Sequence, residues 1–126
     1  MRILLDTHVL LWWLEDSPFL SAQARELVAD PENAVFVSAV SLWEVWLKQS
    51  LGKLRLPVDF DERLAAESFE SLPLLASHPR QVGLLPWHHR DPFDRMLVAQ
   101  AQVEKLVLLT ADEALTAYGC AVQLAR

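Results

Sequence analysis

Short apolar runs alternate along the chain with stretches whose apolar positions recur at helical spacing. Ile3-Leu4-Leu5 reads as a strand buried on both faces, and a helix rich in leucine and tryptophan is expected from about His8 to Leu14. Ser21 to Ala29 carries Ala24, Leu27 and Val28 on one side and stops before Asp30-Pro31, a dipeptide that ends helices. Ala34-Val35-Phe36-Val37 follows as a second strand. From Ser38 or Ser41 to Leu51 the residues Leu42, Val45, Trp46 and Gln49 return at helical spacing, and Gly52 occupies the usual place just past a helix end. Asp59 to Ser71 reads as a further amphipathic helix through Leu64, Ala65 and Phe69, with Leu72 next in the same spacing and a short apolar piece, Pro73-Leu74-Leu75, after it. A strong helix is expected over Asp91 to Lys105, a buried strand over Leu106 to Leu109, a helix over Ala111 to Tyr118 and a last strand over Cys120 to Leu124.

Strands alternating with helices imply right-handed crossovers and a parallel sheet covered on both faces. The expected class is therefore α/β, three layers deep, with a mainly parallel sheet of four to five strands. No repeat or linker breaks the pattern, and 126 residues suit a single domain over residues 1–126. A 52% hydrophobic content with three glycines describes a packed globule.

Composition narrows the function. Lys and Arg number 11 against 17 Asp and Glu, a net charge of −6, which argues against holding long nucleic acid by broad phosphate neutralisation. Contact with nucleic acid should be local, and converging carboxylates would need a cation or a basic partner. Cys120 is alone and cannot form an intrachain disulfide. The start Met1-Arg2-Ile3-Leu4-Leu5-Asp6 is unlike a signal peptide, and no uncharged run of about 18 apolar residues is present to cross a bilayer. The expected location is the cytoplasm, with no membrane partner.

Open α/β sheets collect ligands outside the carboxyl ends of their strands. Four acids fall there: Asp6 after the first strand, Glu44 early in the helix after the second, Asp94 early in the strong helix, and Asp112 just past the Leu106 to Leu109 strand. Asp91 lies one turn before Asp94. Two carboxylates about 4 Å apart repel by roughly 4 kcal/mol at an effective dielectric near 20, so several in one pocket call for a counter-charge. Oxygen ligands with room for water suit Mg²⁺, or Mn²⁺ in its place, better than zinc. Helix capping offers a second explanation for most of them. Ser41-Leu42-Trp43-Glu44 and Thr110-Ala111-Asp112-Glu113 have the form of capping boxes, and Asp91-Pro92-Phe93-Asp94 matches an N-cap followed by proline. Asp6 stands apart, because a carboxylate at the end of a buried strand has a desolvation cost and no evident structural return.

These residues carry a family resemblance that runs from end to end. Leu4-Leu5-Asp6-Thr7-His8-Val9-Leu10-Leu11-Trp12, Ser38-Ala39-Val40-Ser41-Leu42-Trp43-Glu44, His89-Arg90-Asp91-Pro92-Phe93-Asp94-Arg95-Met96-Leu97-Val98-Ala99-Gln100-Ala101 and Leu109-Thr110-Ala111-Asp112 occur in order and at family-like spacing. Together they resemble the PIN-domain ribonucleases, specifically the VapC-like toxins of type II toxin–antitoxin pairs. The resemblance implies a PIN fold and makes Asp6, Glu44, Asp94 and Asp112 the quartet that holds Mg²⁺, with Thr7 and Thr110 as nearby hydroxyls. It also implies metal-assisted hydrolysis of RNA leaving 5′-phosphate and 3′-hydroxyl ends, a homodimer, and a cognate antitoxin whose C-terminal arm covers the acidic pocket.

Other residues qualify this picture. His88 and His89 are adjacent and so make a poor pair of ligands; surface roles or roles supporting the acids are expected for them. His89, Arg90 and Arg95 flank the acids, and Arg95 is expected to brace a neighbouring carboxylate in preference to gripping a phosphate. Trp12 and Trp13 sit about 100° apart on one helix and cannot share one core. Trp43 and Trp46 share a face, for which core packing is the first expectation and an interface the second. A haloacid dehalogenase-like phosphatase wants an Asp two positions after Asp6, where His8 stands. A receiver-type phosphoacceptor wants paired acids and a lysine after the last strand, and both are missing. A non-catalytic PIN-fold interaction module remains as the other alternative.

Overall fold

The computed structural model describes the backbone of residues 1–126 and every side chain except that of Val122. In chain order the elements are β1 (Arg2–Leu5), α1 (Thr7–Leu14), α2 (Ala22–Ala29), β2 (Ala34–Ser38), α3 (Ala39–Ser50), α4 (Phe60–Ala65), β3 (Glu70–Leu72), α5 (Ser77–Val82), α6 (Pro92–Glu104), β4 (Val107–Thr110), a 3₁₀ turn (Glu113–Ala117) and β5 (Val122–Leu124). The five strands pair in the order β3-β2-β1-β4-β5, every pair parallel.

β1 is the middle strand, and its side chains alternate between two cores as a strand's must. Leu4 joins Leu108, Leu97, Val98 and Leu115 on the α6 side. Ile3 and Leu5 join Val35, Val37, Val9, Leu10 and Ala24 on the α1 and α2 side. The sheet is thus covered on both faces and the domain is α/β/α, as the alternation of strands and helices implies. Among the described residues, no helix is long and apolar enough to cross a membrane.

Three expected elements differ in detail. The helix expected to run to Ser71 ends at Ala65, because residues 70–72 pair with the open edge of β2, Leu72 opposite Ser38, and bury Leu72 there. Pro73-Leu74-Leu75 is no element at all. Helix α5 has no counterpart in the sequence pattern: it is short, contains Pro79, and buries only His78, so it leaves no amphipathic trace. The helix expected over Ala111 to Tyr118 is a five-residue 3₁₀ turn.

Two buried polar clusters set the helices that frame the carboxyl edge of the sheet. Ser38 Oγ caps α3 by accepting the Val40 N–H and donates to Gln100 Oε1 at 2.6 Å, tying the start of α3 to the middle of α6. Gln100 Nε2 lies 3.2 Å from His78 Nδ1, which also accepts the Leu75 N–H, and His78 Nε2 reaches Glu104 at 3.0 Å. A buried side chain of this kind is stable only when all its polar atoms are matched. Nearer the start of α6, the buried Arg95 guanidinium donates to the carbonyls of Val82, Leu85 and Pro86 and to the Tyr118 hydroxyl, with the Trp87 ring centred 3.8 Å from it.

Candidate metal centre

The chain leaves β1 to build β2 and β3 on one side and returns to build β4 and β5 on the other. The order therefore reverses between β1 and β4, and the crevice outside their carboxyl ends is where such a sheet binds ligands. Asp6 follows β1 directly, and its backbone N–H donates to Leu109 O of β4 at 2.9 Å, so the two strand ends are joined at the crevice.

Asp6 is 3% exposed. Its Oδ1 accepts the Thr7 N–H at 2.7 Å and so caps α1, while its Oδ2 accepts the Thr110 hydroxyl at 2.6 Å. Burial pushes its pKa above the usual 3.8 against the opposing pull of these two hydrogen bonds and of His8, and the Glu44 charge raises it further. The carboxylate thus has the structural return that its position in sequence did not suggest.

Glu44 reverses in the other direction. The Ser41-x-x-Glu44 capping box does not form: Ser38 caps α3, and Glu44 lies beyond its first turn. Ser41 is instead buried and accepts the Thr7 hydroxyl at 3.1 Å. Glu44 is 2% exposed, and Lys48, one turn on, donates to its Oε2 at 2.5 Å. Its Oε1 has nothing. Among the described residues it is the one buried side-chain polar atom without a hydrogen-bond partner, a state costing on the order of 1–3 kcal/mol unless something binds there.

Asp94 is the electrostatic centre. Its pKa is pushed up to about 8, first by burial and then by the charges of Asp6, Asp91, Glu44 and Asp112. Asp94 thus feels the charges of the three other predicted acids, with Asp91 as a further neighbour, while the donor atoms that lie within 4.8 Å of one another are those of Asp94, Asp112 and His89. Asp91 acts as the N-cap of α6, its Oδ1 accepting the N–H groups of Phe93 and Asp94. Asp112 caps the 3₁₀ turn through Oδ1 and meets His89 Nε2 at 2.9 Å through Oδ2. Thr110 links both halves, since its hydroxyl oxygen also accepts the Asp112 N–H at 3.0 Å. An orphaned buried carboxylate oxygen on Glu44 and raised pKa values at Asp6 and Asp94 are what a cation would relieve, and the oxygen donors present fit a hard divalent ion.

A cleft of about 390 Å³ opens over Asp6, Asp94 and Asp112, bordered by His8, Trp12, Ala111 and Arg126. A second hollow, about 340 Å³, runs beside Glu44 past Lys48 and Lys53, and His8 borders both. The family model for the PIN domain matches residues 3–119. This chain belongs to the PIN-domain family. Ribonuclease VapC22 of Mycobacterium tuberculosis is 30% identical to it over 129 residues, covering 92% of this PIN domain and 91% of that protein. Among solved structures, VapBC2 from Rickettsia felis, bound to a promoter DNA fragment, superposes with a TM-score of 0.76 at 16% identity over all of both chains. DNA-bound VapBC from Salmonella typhimurium gives 0.72 at 15% identity, over 100% of this chain and 99% of that one. VapBC-5, a toxin–antitoxin system of Mycobacterium tuberculosis, gives 0.60 at 22%, over 99% and 98%. The PIN domain described here is thus VapC-like in sequence and in fold.

Arg95 requires a correction. It braces no carboxylate and cannot reach a phosphate, because its guanidinium is buried against three carbonyls and the Tyr118 hydroxyl. Arg90 is exposed beside the site. The first expectation for Trp43 and Trp46 also fails: they are 61% and 41% exposed, and with Leu47 and Leu51 they form an apolar stripe along α3. Lys48 was the functional neighbour that sequence reasoning missed, although its spacing of four from Glu44 is the signal for such a pair.

Proposed function

We propose that this PIN domain, a single domain over residues 1–126, is a Mg²⁺-dependent endoribonuclease and the toxin of a toxin–antitoxin pair. Asp6, Glu44, Asp94 and Asp112 would hold the ion, and Mn²⁺ would substitute for it. The observation that carries this reading is the buried, unpartnered Glu44 Oε1 beside an Asp94 that resists ionising. The name of the ribonuclease relative from Mycobacterium tuberculosis supports RNA as substrate.

When bound, a divalent ion supplies an activated water and positive charge opposite the phosphoryl oxygens. The remaining work belongs to the chain. Thr110 holds Asp6 and, through its bond from the Asp112 N–H, keeps the ends of β1 and β4 in register. Lys48 occupies one oxygen of Glu44 and leaves the other available. His8, Lys48 and Lys53 line the hollow beside Glu44, and His8 and Arg126 border the cleft over the other acids, donors and positive charge suited to local phosphate contact on an otherwise acidic protein.

The VapBC complexes among the structural neighbours support an antitoxin partner. The apolar stripe of Trp43, Trp46, Leu47 and Leu51 supports a covered face, in an antitoxin complex or a homodimer. The cytoplasm, where RNA is made and translated, is the location this function requires.

Purified protein should cleave RNA with Mg²⁺ or Mn²⁺ and stop when EDTA is added, and the new 5′ ends should carry phosphate. Asp6→Asn should abolish cleavage while circular dichroism stays that of wild type. Equal cleavage by wild type and Asp6→Asn would sink the reading by pointing to a contaminating nuclease. No cleavage by either would favour a non-catalytic module.

A further inference from the structure

His89 stands where a nitrogen ligand to the ion would stand. Its Nε2 is 2.9 Å from Asp112 Oδ2 and 3.5 Å from Asp94 Oδ2, and single donor atoms of the three residues lie within 4.8 Å of one another. Distance alone makes it a ligand. The other side of the ring excludes this.

A histidine that binds metal through one nitrogen donates the N–H of its other nitrogen to an acceptor. His89 Nδ1 faces a donor instead, the backbone N–H of Asp91 at 3.0 Å. An amide cannot turn its hydrogen away, so Nδ1 must present its lone pair and the ring proton is assigned to Nε2. Nε2–H then points at Asp112 Oδ2, and Asp94 Oδ2 lies 3.5 Å from the same nitrogen without a hydrogen bond. The lock is local, since it needs only the residue two positions further along the chain.

The segment that carries the ring is itself fixed. The His89 N–H donates to the Tyr118 hydroxyl at 2.9 Å. The same hydroxyl receives Arg95 Nη1 at 3.2 Å, and Arg95 also holds Pro86 O at 2.8 Å and approaches His89 O at 3.5 Å. This gives the buried Arg95 a place in the site: through Tyr118 and the loop carbonyls it sets where the imidazole lies.

We propose that His89, in the metal site inferred above and dependent on that reading, is a tautomer-locked positioning residue. Its Nε2–H holds the Asp112 carboxylate beside Asp94 for an ion that the imidazole does not touch. The donor set stays all-oxygen, which keeps the preference for Mg²⁺ and Mn²⁺ over the later transition metals that imidazole ligation would favour.

The test uses Mn²⁺ itself as probe, with tag-free protein. Pulsed electron paramagnetic resonance of the bound ion should show no hyperfine coupling to a directly coordinated ¹⁴N. His89→Phe should weaken Mn²⁺ binding about tenfold or more, the usual consequence of removing a residue that orients a ligand. His89→Gln, which places an N–H donor near the position of Nε2, should recover most of that loss. A coordinated-nitrogen signal that disappears in His89→Phe makes the imidazole a ligand and overturns the proposal. So does wild-type affinity in His89→Phe, and a failure of His89→Gln to recover it reduces the ring to packing. If His89→Phe does not fold, the wild-type spectrum and His89→Gln still decide. Absence of Mn²⁺ binding in the wild type removes the metal reading itself, an outcome distinct from every other.

Discussion

Thr110 donates its hydroxyl to Asp6 Oδ2 at 2.6 Å across the boundary between the two central strands. The same oxygen accepts the Asp112 N–H, so one small side chain connects two of the four acids. Thr110→Val keeps the shape and removes the donor. It should raise the Asp6 pKa beyond its already elevated value, because the bond from Thr110 is the largest influence holding it down. The loss in stability should be about 1–3 kcal/mol, read by urea unfolding at neutral pH, and divalent-ion binding should weaken. Thr110→Ser should stay close to wild type.

Asp94 makes metal-free stability depend on pH in a definite direction. Its folded-state pKa is pushed up to about 8 from the ordinary 3.8. Between those values the folded chain holds a proton that the unfolded chain has released, so this residue's contribution to stability falls as pH rises from about 4 to 8 and is level above. Thermal melts in EDTA should therefore show Asp94→Asn gaining on wild type across that range. Mn²⁺ binding must displace the same proton, so wild-type affinity should increase with pH up to about 8. A wild-type minus variant difference that is flat or of opposite slope contradicts the raised Asp94 pKa.

Arg95 should prove structural. Replacement by Met strands the carbonyls of Val82, Leu85 and Pro86 and removes the donor to Tyr118. The expected cost is about 3 kcal/mol or more, measured by denaturant midpoint at unchanged slope. Arg95→Lys should recover little, because one ammonium cannot span the spread of acceptors that a guanidinium fork reaches.

Much of this was legible in the sequence, for identifiable reasons. β1, β2 and β4 are apolar runs buried on both faces, and α6 opens with Asp91-Pro92 and ends at Lys105 in the left-handed conformation. Signals of that kind are local. What was not legible depended on contacts distant along the chain. β3 exists because β2 has an open edge, and α5 because His78 finds Gln100 and Glu104. The acids show the same division. All four positions could be read from strand ends and helix starts, but their local meaning was inverted at two of them. Asp6 caps a helix that the pattern started one residue late, at His8, and Glu44 lies in a motif that imitates a capping box while Ser38 does the capping. Spacing cannot tell which of two serines three residues apart ends the strand; Ser38 Oγ accepts the Val40 N–H, whereas Ser41 Oγ takes the Thr7 hydroxyl.

Glu44 offers the most direct test of the whole account. Glu44→Gln keeps the side chain's shape and an oxygen, and it removes the anionic oxygen that has no hydrogen-bond partner among the described residues. Mn²⁺ should be titrated calorimetrically into folded wild type and folded Glu44→Gln, with RNA cleavage followed on the same samples. The account predicts that wild type binds the ion and cuts RNA, and that Glu44→Gln loses both. Binding and cleavage by Glu44→Gln at wild-type levels would contradict it.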